Sequence, residues 1–426
     1  MRLFRKFVPL IVSVLAISCG ASNVDQKSFG EWTILMYVCG SNLESDYANQ
    51  TTIRDDTGQI YRWNGMGLAT MDIREMLIPK NKPKDVNIVL MTGGAKKWTK
   101  SNFGKYGSYD IDPSKLQIHH VNSSNKLSLD KTLNYSYMGN SSTLQTFLEY
   151  GFKNYPAKKT ALVLWNHGGG LQGVCFDEKN PYGDGLTAPE VTWAVKNALI
   201  NSGKEGEKLE WIGYDACLMA VQDIAELNSK YFNYMVASQQ LESGYGWSYQ
   251  NWIDKVYEKK ETTEILQSIC DSFIEDNNYL GYDNDQTLAY YDLSHAAEYK
   301  NAWENMSLYM SSSLSSYNRN ALNSLINECR VFGDDYSYAY GLVDAKDFID
   351  RLDNSEYFNV PDEVVNPLKT SFNNLVAYSA KGNEAGSANG LSMYWTISNY
   401  TRYYNSYTQS DTNFLNWASV VSNYGQ

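Results

Sequence analysis

Two short apolar segments in this chain each lead directly to a side chain that can take part in catalysis. Residues 161–165 are apolar and precede His167, and residues 209–214 are mostly apolar and precede Cys217. Their length, and the glycine and polar residues that flank them, predict two buried β-strands. The roughly 50 residues between His167 and Cys217 leave room for a helix and its loops, which is what a connection between two parallel strands requires.

The same alternation of apolar segments and helical periodicity runs along most of the chain. Apolar runs at 32–38, 86–91 and 234–238 predict further strands, with helical segments between them. The polar residues 98–138 contain short alternating pieces and predict a small β-hairpin insertion at a sheet edge. Strands that alternate with helices indicate an α/β fold with a mostly parallel central sheet and helices on both faces.

Several finer assignments follow from the same patterns. Helices are predicted over 218–227 and 361–379, and a late strand over 390–397. His119 and His120, inside the predicted hairpin, are expected at the surface.

His167 and Cys217 both fall at the predicted carboxyl ends of their strands, where parallel sheets bind ligands. A cysteine attacks as its thiolate, and a neighbouring imidazole can hold it in that form and then protonate the leaving amine. We therefore predict that Cys217 is a nucleophile and that His167 is its base. The backbone amides of Gly168 and Cys217 are candidates for binding the developing oxyanion.

Composition narrows the class of protein. The chain has 426 residues, 43% of them hydrophobic, which is enough for one large domain or two smaller ones. The formal charge of −12 argues against a nucleic-acid partner, because phosphate binding needs a basic surface. An acidic surface favours basic substrates.

Residues 1–18 have the features of an export signal, with basic residues before an apolar stretch too short for a typical membrane span. Small residues before Cys19 resemble a bacterial lipoprotein signal, with cleavage before that cysteine and lipid attached to it. Residues 19–30 would then be a tether to the membrane. An ordinary secretory signal is the alternative. We expect an exported bacterial protein, either lipid-anchored at the outer membrane or cell surface, or secreted.

Four segments, in order and spacing, resemble the clostripain family of cysteine peptidases, which belongs to the caspase-like clan. Together they span most of residues 30–250, and the region after 250 matches only loosely. The matching segments are Tyr37 with Asn42-Leu43-Glu44, Trp165-Asn166-His167-Gly168-Gly169, Asp215-Ala216-Cys217-Leu218-Met219, and Ala237-Ser238-Gln239 with Glu242-Ser243-Gly244-Tyr245-Gly246-Trp247.

The resemblance implies a caspase-like α/β/α sandwich over residues 31–426. It also implies an endopeptidase that cleaves proteins or peptides after Arg or Lys through a Cys217–His167 dyad. Asp215 would lie at the floor of the pocket for the basic side chain, where a carboxylate suits bidentate recognition of Arg. Glu242 is a second candidate for that pocket.

The family also implies autolytic activation by a cut in the loop after the catalytic histidine. Lys179 is the best-placed basic residue there, and a cut near it would leave two associated chains. Some family members depend on calcium, so calcium is possible here by resemblance alone. The chain has Cys39-Gly40-Ser41 where the family often has acidic residues, and we predict no metal-ligating residue and no firm cofactor.

Two other functions remain open at this stage. The His-Gly-Gly-Gly segment that begins at His167 also resembles the oxyanion loop of serine esterases, but the chain contains no G-x-S-x-G nucleophile motif. A catalytically silent surface-binding lipoprotein on a peptidase scaffold is the second alternative, and the intact His167 and Cys217 argue against it.

Overall fold

The computed structural model describes residues 29–46, 51–54, 60–63, 66–102, 107–281, 284–313, 319–333, 340–356, 358–395 and 412–424. Within them the β-strands are Gly30–Cys39 (β1), Thr51–Arg54 (β2), Ile60–Trp63 (β3), Val86–Gly93 (β4), Ser101–Asn102 (β5), Ser108–Tyr109 (β6), Lys115–Val121 (β7), Leu127–Asn134 (β8), Ala157–Trp165 (β9), Leu209–Asp215 (β10), Phe232–Ala237 (β11), Thr287–Asp292 (β12), Leu342–Asp344 (β13), Val376–Lys381 (β14) and Ser392–Tyr394 (β15). The α-helices are Ser41–Ser45 (α1), Leu68–Glu75 (α2), Ser141–Asn154 (α3), Ala188–Asn201 (α4), Gln222–Asn228 (α5), Tyr249–Tyr257 (α6), Thr262–Leu280 (α7), Ala296–Ser313 (α8), Arg319–Asn327 (α9), Ala345–Asp353 (α10), Asp362–Leu375 (α11) and Leu415–Tyr424 (α12).

A nine-stranded sheet forms the centre of the molecule, in the order β14-β12-β11-β10-β9-β1-β4-β7-β8. The five central strands, from β11 to β4, run parallel to one another. Two antiparallel strands extend the sheet at each edge. The predicted mostly parallel sheet is therefore confirmed, and the predicted hairpin is β7 and β8, which lengthen one edge.

Helices cover both faces of this sheet. Along β1, Leu35 and Tyr37 pack into a hydrophobic cluster with residues of α3 and α4, whereas Ile34 and Met36 pack into a second cluster with α2, α6 and α7. This alternation follows from the two-residue period of a strand. Each fully buried aliphatic side chain contributes about 1.5–3 kcal/mol, so a sheet apolar on both faces requires a layer of helices on each side.

Two of the predicted elements were wrong in detail. The segment after Cys217 does not start a helix, because Leu218 has a left-handed φ of +67° and its amide donates to the carbonyl of Gln240; the helix begins only at Gln222. The helix predicted over 361–379 ends at Leu375, and Val376–Lys381 pairs antiparallel with β12 as an edge strand.

The expectation that His119 lies at the surface was also wrong. β7 is flanked on both sides, by β4 and by β8, and His119 is only 6% exposed. Its Nε2 lies 3.3 Å from Thr92 Oγ1, and burial lowers its pKa to about 4. A histidine in an interior strand is thus held neutral by its surroundings.

In the described part of the chain, no helix is long and apolar enough to cross a membrane. The predicted export signal and Cys19 lie outside the described residues. The five described cysteines, Cys39, Cys175, Cys217, Cys270 and Cys329, are all free thiols.

Candidate active site

Four loops meet at the carboxyl edge of the central sheet. The strands β1, β9, β10 and β11 are neighbours, and the register pairs Val38 with Trp165 and Trp165 with Asp215. His167 follows the end of β9, and Cys217 follows the end of β10. The structure therefore brings the predicted nucleophile and the predicted base to one edge of the sheet.

The loops that carry these two residues touch at a glycine. A Cβ added to Gly168 would lie 2.2 Å from the carbonyl oxygen of Cys217 and 3.1 Å from its nitrogen. Only a residue without a side chain allows this approach. The amides of Gly168 and Cys217, predicted as oxyanion donors, consequently lie beside the sulfur.

The Cys217 thiol is held by backbone groups. Its Sγ accepts a hydrogen bond from the amide of Glu242 at 3.2 Å. Burial and, secondarily, the negative charge of Glu242 raise the pKa of Cys217 to about 12, whereas the amides of Glu242, Cys217 and Gly168 act in the opposite direction. Burial thus favours the neutral thiol, while three nearby amides favour the thiolate.

His167 is oriented by a residue from another loop. Its Nε2 lies 2.8 Å from Oδ1 of Asn42, the second residue of α1. Burial lowers the pKa of the imidazole. Among the described contacts of His167 and Cys217, no hydrogen bond joins the imidazole to the thiol, which is common before substrate binds. Sequence reasoning cited Asn42 only within a matching segment and gave it no role.

Asp215 lies against α6, where it contacts Tyr249, and close to Asp72 of α2. It is 5% exposed and accepts a hydrogen bond from the hydroxyl of Tyr249 at 2.5 Å. Burial raises its pKa to about 6, although hydrogen bonds from Tyr249, Glu242 and the amide of Trp247 partly offset that effect. Asp215 does not cap the following helix, because that helix begins only at Gln222.

Two more carboxyl groups lie next to Asp215. Burial and the charge of Asp215 raise the pKa of Glu242 well above its usual value, and the same two effects raise that of Asp72. The Glu242 carboxyl contacts Asp215, the backbone of Ala216 and the Trp247 side chain, and one carboxylate oxygen of Asp72 is buried without a hydrogen-bond partner among the described residues. A Cβ on Gly246 would lie 3.3 Å from Asp72 and about 3.5 Å from Asp215, so a glycine separates the two groups. We name Asp72, Asp215 and Glu242 the acidic cluster.

In the described residues, no Lys or Arg pairs with the acidic cluster. Buried carboxylates without a cation are costly, since each charge loses its hydration and repels its neighbours. Chemically, a positively charged group placed against these carboxyl groups would offset that cost. Asp72 was missed by sequence reasoning, although a lone carboxylate between Met71 and Ile73 on a buried helix was a signal for it.

Lys179 lies far along the loop between β9 and α4 and is held in place there. Its Nζ sits 3.6 Å from the centre of the Tyr135 ring and donates to the carbonyl of Pro113. Its amide donates to Asp177 at 2.9 Å, and Asp177 also accepts from Tyr135 and from the amide of Met138. In this structure the Lys179 side chain is therefore engaged outside the acidic cluster.

No group of three or more His, Cys, Asp or Glu side chains in the described residues has the arrangement of a metal site. Calcium remains a family expectation without a candidate set of ligands in this part of the chain.

Comparison with known proteins decides the family. The model of the clostripain family matches residues 64–424. The chain belongs to the clostripain family. It is a cysteine peptidase.

Individual relatives agree with this assignment. The clostripain of Hathewaya histolytica is 22% identical over 395 residues, covering 80% of this chain and 74% of that protein. Two solved structures share the fold. A secreted cysteine protease of Bacteroides thetaiotaomicron, iotapain, has a TM-score of 0.63 at 16% identity, over 92% of this chain and 99% of that one. An inactive zymogen protease of Parabacteroides distasonis has a TM-score of 0.61 at 15% identity, over 91% and 97%. The predicted caspase-like α/β/α sandwich is thereby confirmed.

Proposed function

We propose that this clostripain-family peptidase cleaves protein and peptide substrates after Arg or Lys, with Cys217 as nucleophile and His167 as base. The acidic cluster is the observation that carries the specificity. The cluster adjoins the nucleophile, since the amide of Glu242 donates to Cys217 Sγ, and no Lys or Arg of the described residues pairs with its carboxyl groups. A guanidinium or ammonium group of the substrate that enters there would give these carboxylates the positively charged partner that they lack among the described residues.

The chemistry follows from the same loops. His167 takes the proton of the Cys217 thiol, and the thiolate attacks the scissile carbonyl carbon. The oxyanion of the tetrahedral intermediate is stabilised by the amides of Gly168 and Cys217, and each such donor is typically worth about 10²–10³ in rate. His167 then protonates the leaving amine. Finally, His167 removes a proton from water, and the hydroxide releases the product acid from the thioester and regenerates the thiol.

Autolytic activation at Lys179 is part of the proposal. The loop that carries Lys179 starts at the His167 strand and ends at a helix cap formed by Thr187 and Glu190. Because the Lys179 side chain packs on Tyr135, it must leave that ring before any acidic cluster, in the same or a second molecule, can bind it. We expect the cut to occur in trans or after a loop rearrangement.

Export and attachment to the membrane through lipid on Cys19 complete the proposal. The relative from Bacteroides thetaiotaomicron is described as secreted, which supports export. Mass spectrometry of the mature protein tests the anchor. A diacylated N-terminal Cys19 supports it, and an unmodified terminus elsewhere contradicts it.

The decisive assay uses short peptides that differ only in the residue before the cut, namely Arg, Lys, Gln or Glu. We expect hydrolysis after Arg or Lys and none after Gln or Glu. Cys217→Ala and His167→Ala should each abolish it. Full activity of Cys217→Ala would contradict the mechanism, and a preference for Glu would contradict the specificity.

The activation step needs a matched pair of variants. Lys179→Ala should remain a single uncut chain on a denaturing gel and show reduced activity. Lys196→Ala removes a lysine of the following helix α4 and should be cut and active like the parent. An uncut and fully active Lys179→Ala would remove the activation step while leaving the peptidase assignment intact.

A further inference from the structure

We propose that Asn42 is a positioning residue for the reaction, which fixes the orientation and the protonated nitrogen of His167. The inference rests on the proposed role of His167 as base. It starts from the 2.8 Å contact between His167 Nε2 and Asn42 Oδ1. An amide oxygen only accepts, so the hydrogen of the neutral imidazole is on Nε2. Nδ1 then carries the lone pair and is the nitrogen that takes the proton of Cys217.

The turn that presents Asn42 has a specific backbone conformation that its surroundings hold in place. Ser41 has a left-handed φ of +49° although it is not glycine, and it is 3% exposed. Such a conformation costs of the order of 1–3 kcal/mol and persists only where neighbouring contacts enforce it. A Cβ on Gly40 would lie 2.8 Å from Trp98, so this turn packs closely on the next loop.

Glu44 supplies the contacts that enforce this turn. It is 1% exposed, and its carboxylate accepts from the amide and the hydroxyl of Thr70 at 2.9 and 2.7 Å and from the amide of Thr99 at 2.8 Å. These bonds tie α1 to the start of α2 and to the loop after β4. The turn that carries Asn42 is therefore fixed to two other elements.

The histidine side of the contact is anchored to the same strand. The side-chain amide of Asn166, the residue before His167, donates to the carbonyl of Cys39 at 2.6 Å, and its oxygen accepts from the amide of Phe176. Both residues of the His167–Asn42 hydrogen bond are thus anchored near the end of β1, Asn42 through the chain and His167 through its neighbour Asn166. A hydrogen bond between two such anchored groups restricts rotation of the imidazole.

An uncharged hydrogen-bond partner such as Asn42 also suits a histidine that acts as a base. A carboxylate in the place of Asn42 would stabilise the imidazolium and raise the pKa of His167. An amide orients the ring without that effect, so burial alone acts on the pKa, and it lowers it. Burial therefore favours the neutral imidazole, which is the form that accepts the thiol proton.

Steady-state kinetics on an Arg peptide tests the inference with two substitutions and one control. Asn42→Ala should lower kcat by about 10- to 100-fold and change KM by less than about twofold, because the acidic cluster is untouched. Asn42→Asp should retain more kcat than Asn42→Ala and move the acid limb of the pH profile of kcat/KM to higher pH by about one unit or more. Ser45→Ala, in the same helix, should behave like the parent.

The outcomes separate this inference from the proposed function. If His167→Ala abolishes hydrolysis but Asn42→Ala keeps the parent kcat and Asn42→Asp keeps the parent pH profile, Asn42 has no positioning role. If Asn42→Ala lowers the melting temperature and raises KM, and Asn42→Asp leaves the pH profile unchanged, the role of Asn42 is structural only. That result also overturns the inference. If His167→Ala is fully active, the proposed mechanism itself is wrong.

Discussion

Replacing Asp215 by Asn should strongly reduce cleavage after basic residues and at the same time stabilise the fold above about pH 6. Burial raises the pKa of this carboxyl from 3.8 to about 6. Each unit of pKa corresponds to about 1.36 kcal/mol, so the ionised carboxylate destabilises the folded state by up to about 3 kcal/mol. The folded protein binds the proton more tightly than the unfolded chain does. The penalty is therefore absent below about pH 4, grows as pH rises, and is complete above about pH 6.

The measurement is chemical denaturation at pH 4 and pH 8, in a Cys217→Ala background that prevents self-digestion. Asn keeps an oxygen that can accept the hydrogen bond of Tyr249. Asp215→Asn should therefore raise the free energy of unfolding by about 2–3 kcal/mol at pH 8 and leave it nearly unchanged at pH 4. Asp110→Asn, which alters a carboxylate with 73% of its side chain exposed, is the control and should change neither value.

Activity is measured in parallel with Cys217 intact. The kcat/KM of an Arg peptide should fall by about 100-fold or more in Asp215→Asn, because a buried charge partner of the substrate is lost. Equal stability of variant and parent at pH 8, or undiminished cleavage after Arg, would refute the assignment of Asp215 as a buried carboxylate that awaits a cation.

Two further predictions concern neighbouring parts of the fold. Gly168→Ala should lower kcat by 10²-fold or more, roughly the loss of one oxyanion donor, because its Cβ would lie 2.2 Å from the Cys217 carbonyl oxygen and force the two loops apart; unchanged steady-state kinetics would contradict this. Burial lowers the pKa of His119 to about 4, so the stability that its neutral form contributes is complete above about pH 6.5 and is lost as pH falls toward 4. Unfolding curves of His119→Gln should therefore depend less on pH across that window, and the same dependence as the parent would contradict the reasoning.

Strands of the central sheet were predictable because their pattern is strong. A strand in the middle of a parallel sheet is covered on both faces, so 161–165 and 209–214 are almost continuously apolar and cannot be confused with loops. Edge elements gave a weaker signal. Val376–Lys381 alternates between partly buried and exposed residues, and its sequence continues the preceding helix without a break. Its identity as a strand is decided by pairing with β12, which local sequence does not encode.

The residues of the site also differ in how well the sequence predicts them. His167 and Cys217 were predictable because each is the first reactive side chain after a recognisable strand. Glu242 was only a second candidate, since its position depends on the path of the loop after β11. Asn42 and Asp72 had no assigned role, because their importance comes from contacts across more than 90 residues of sequence, to His167 and to Trp165.

Burial disfavours the charged form of both reacting groups, and this has a consequence for how activity begins. Burial raises the pKa of Cys217 and lowers that of His167, so each effect opposes the thiolate–imidazolium pair. The Glu242 charge adds to the first effect. A basic side chain bound to the acidic cluster would offset that charge beside the thiol and so favour the thiolate. Substrate recognition and activation of the nucleophile would then depend on the same carboxylate, which explains how a buried and destabilising acidic cluster can serve catalysis.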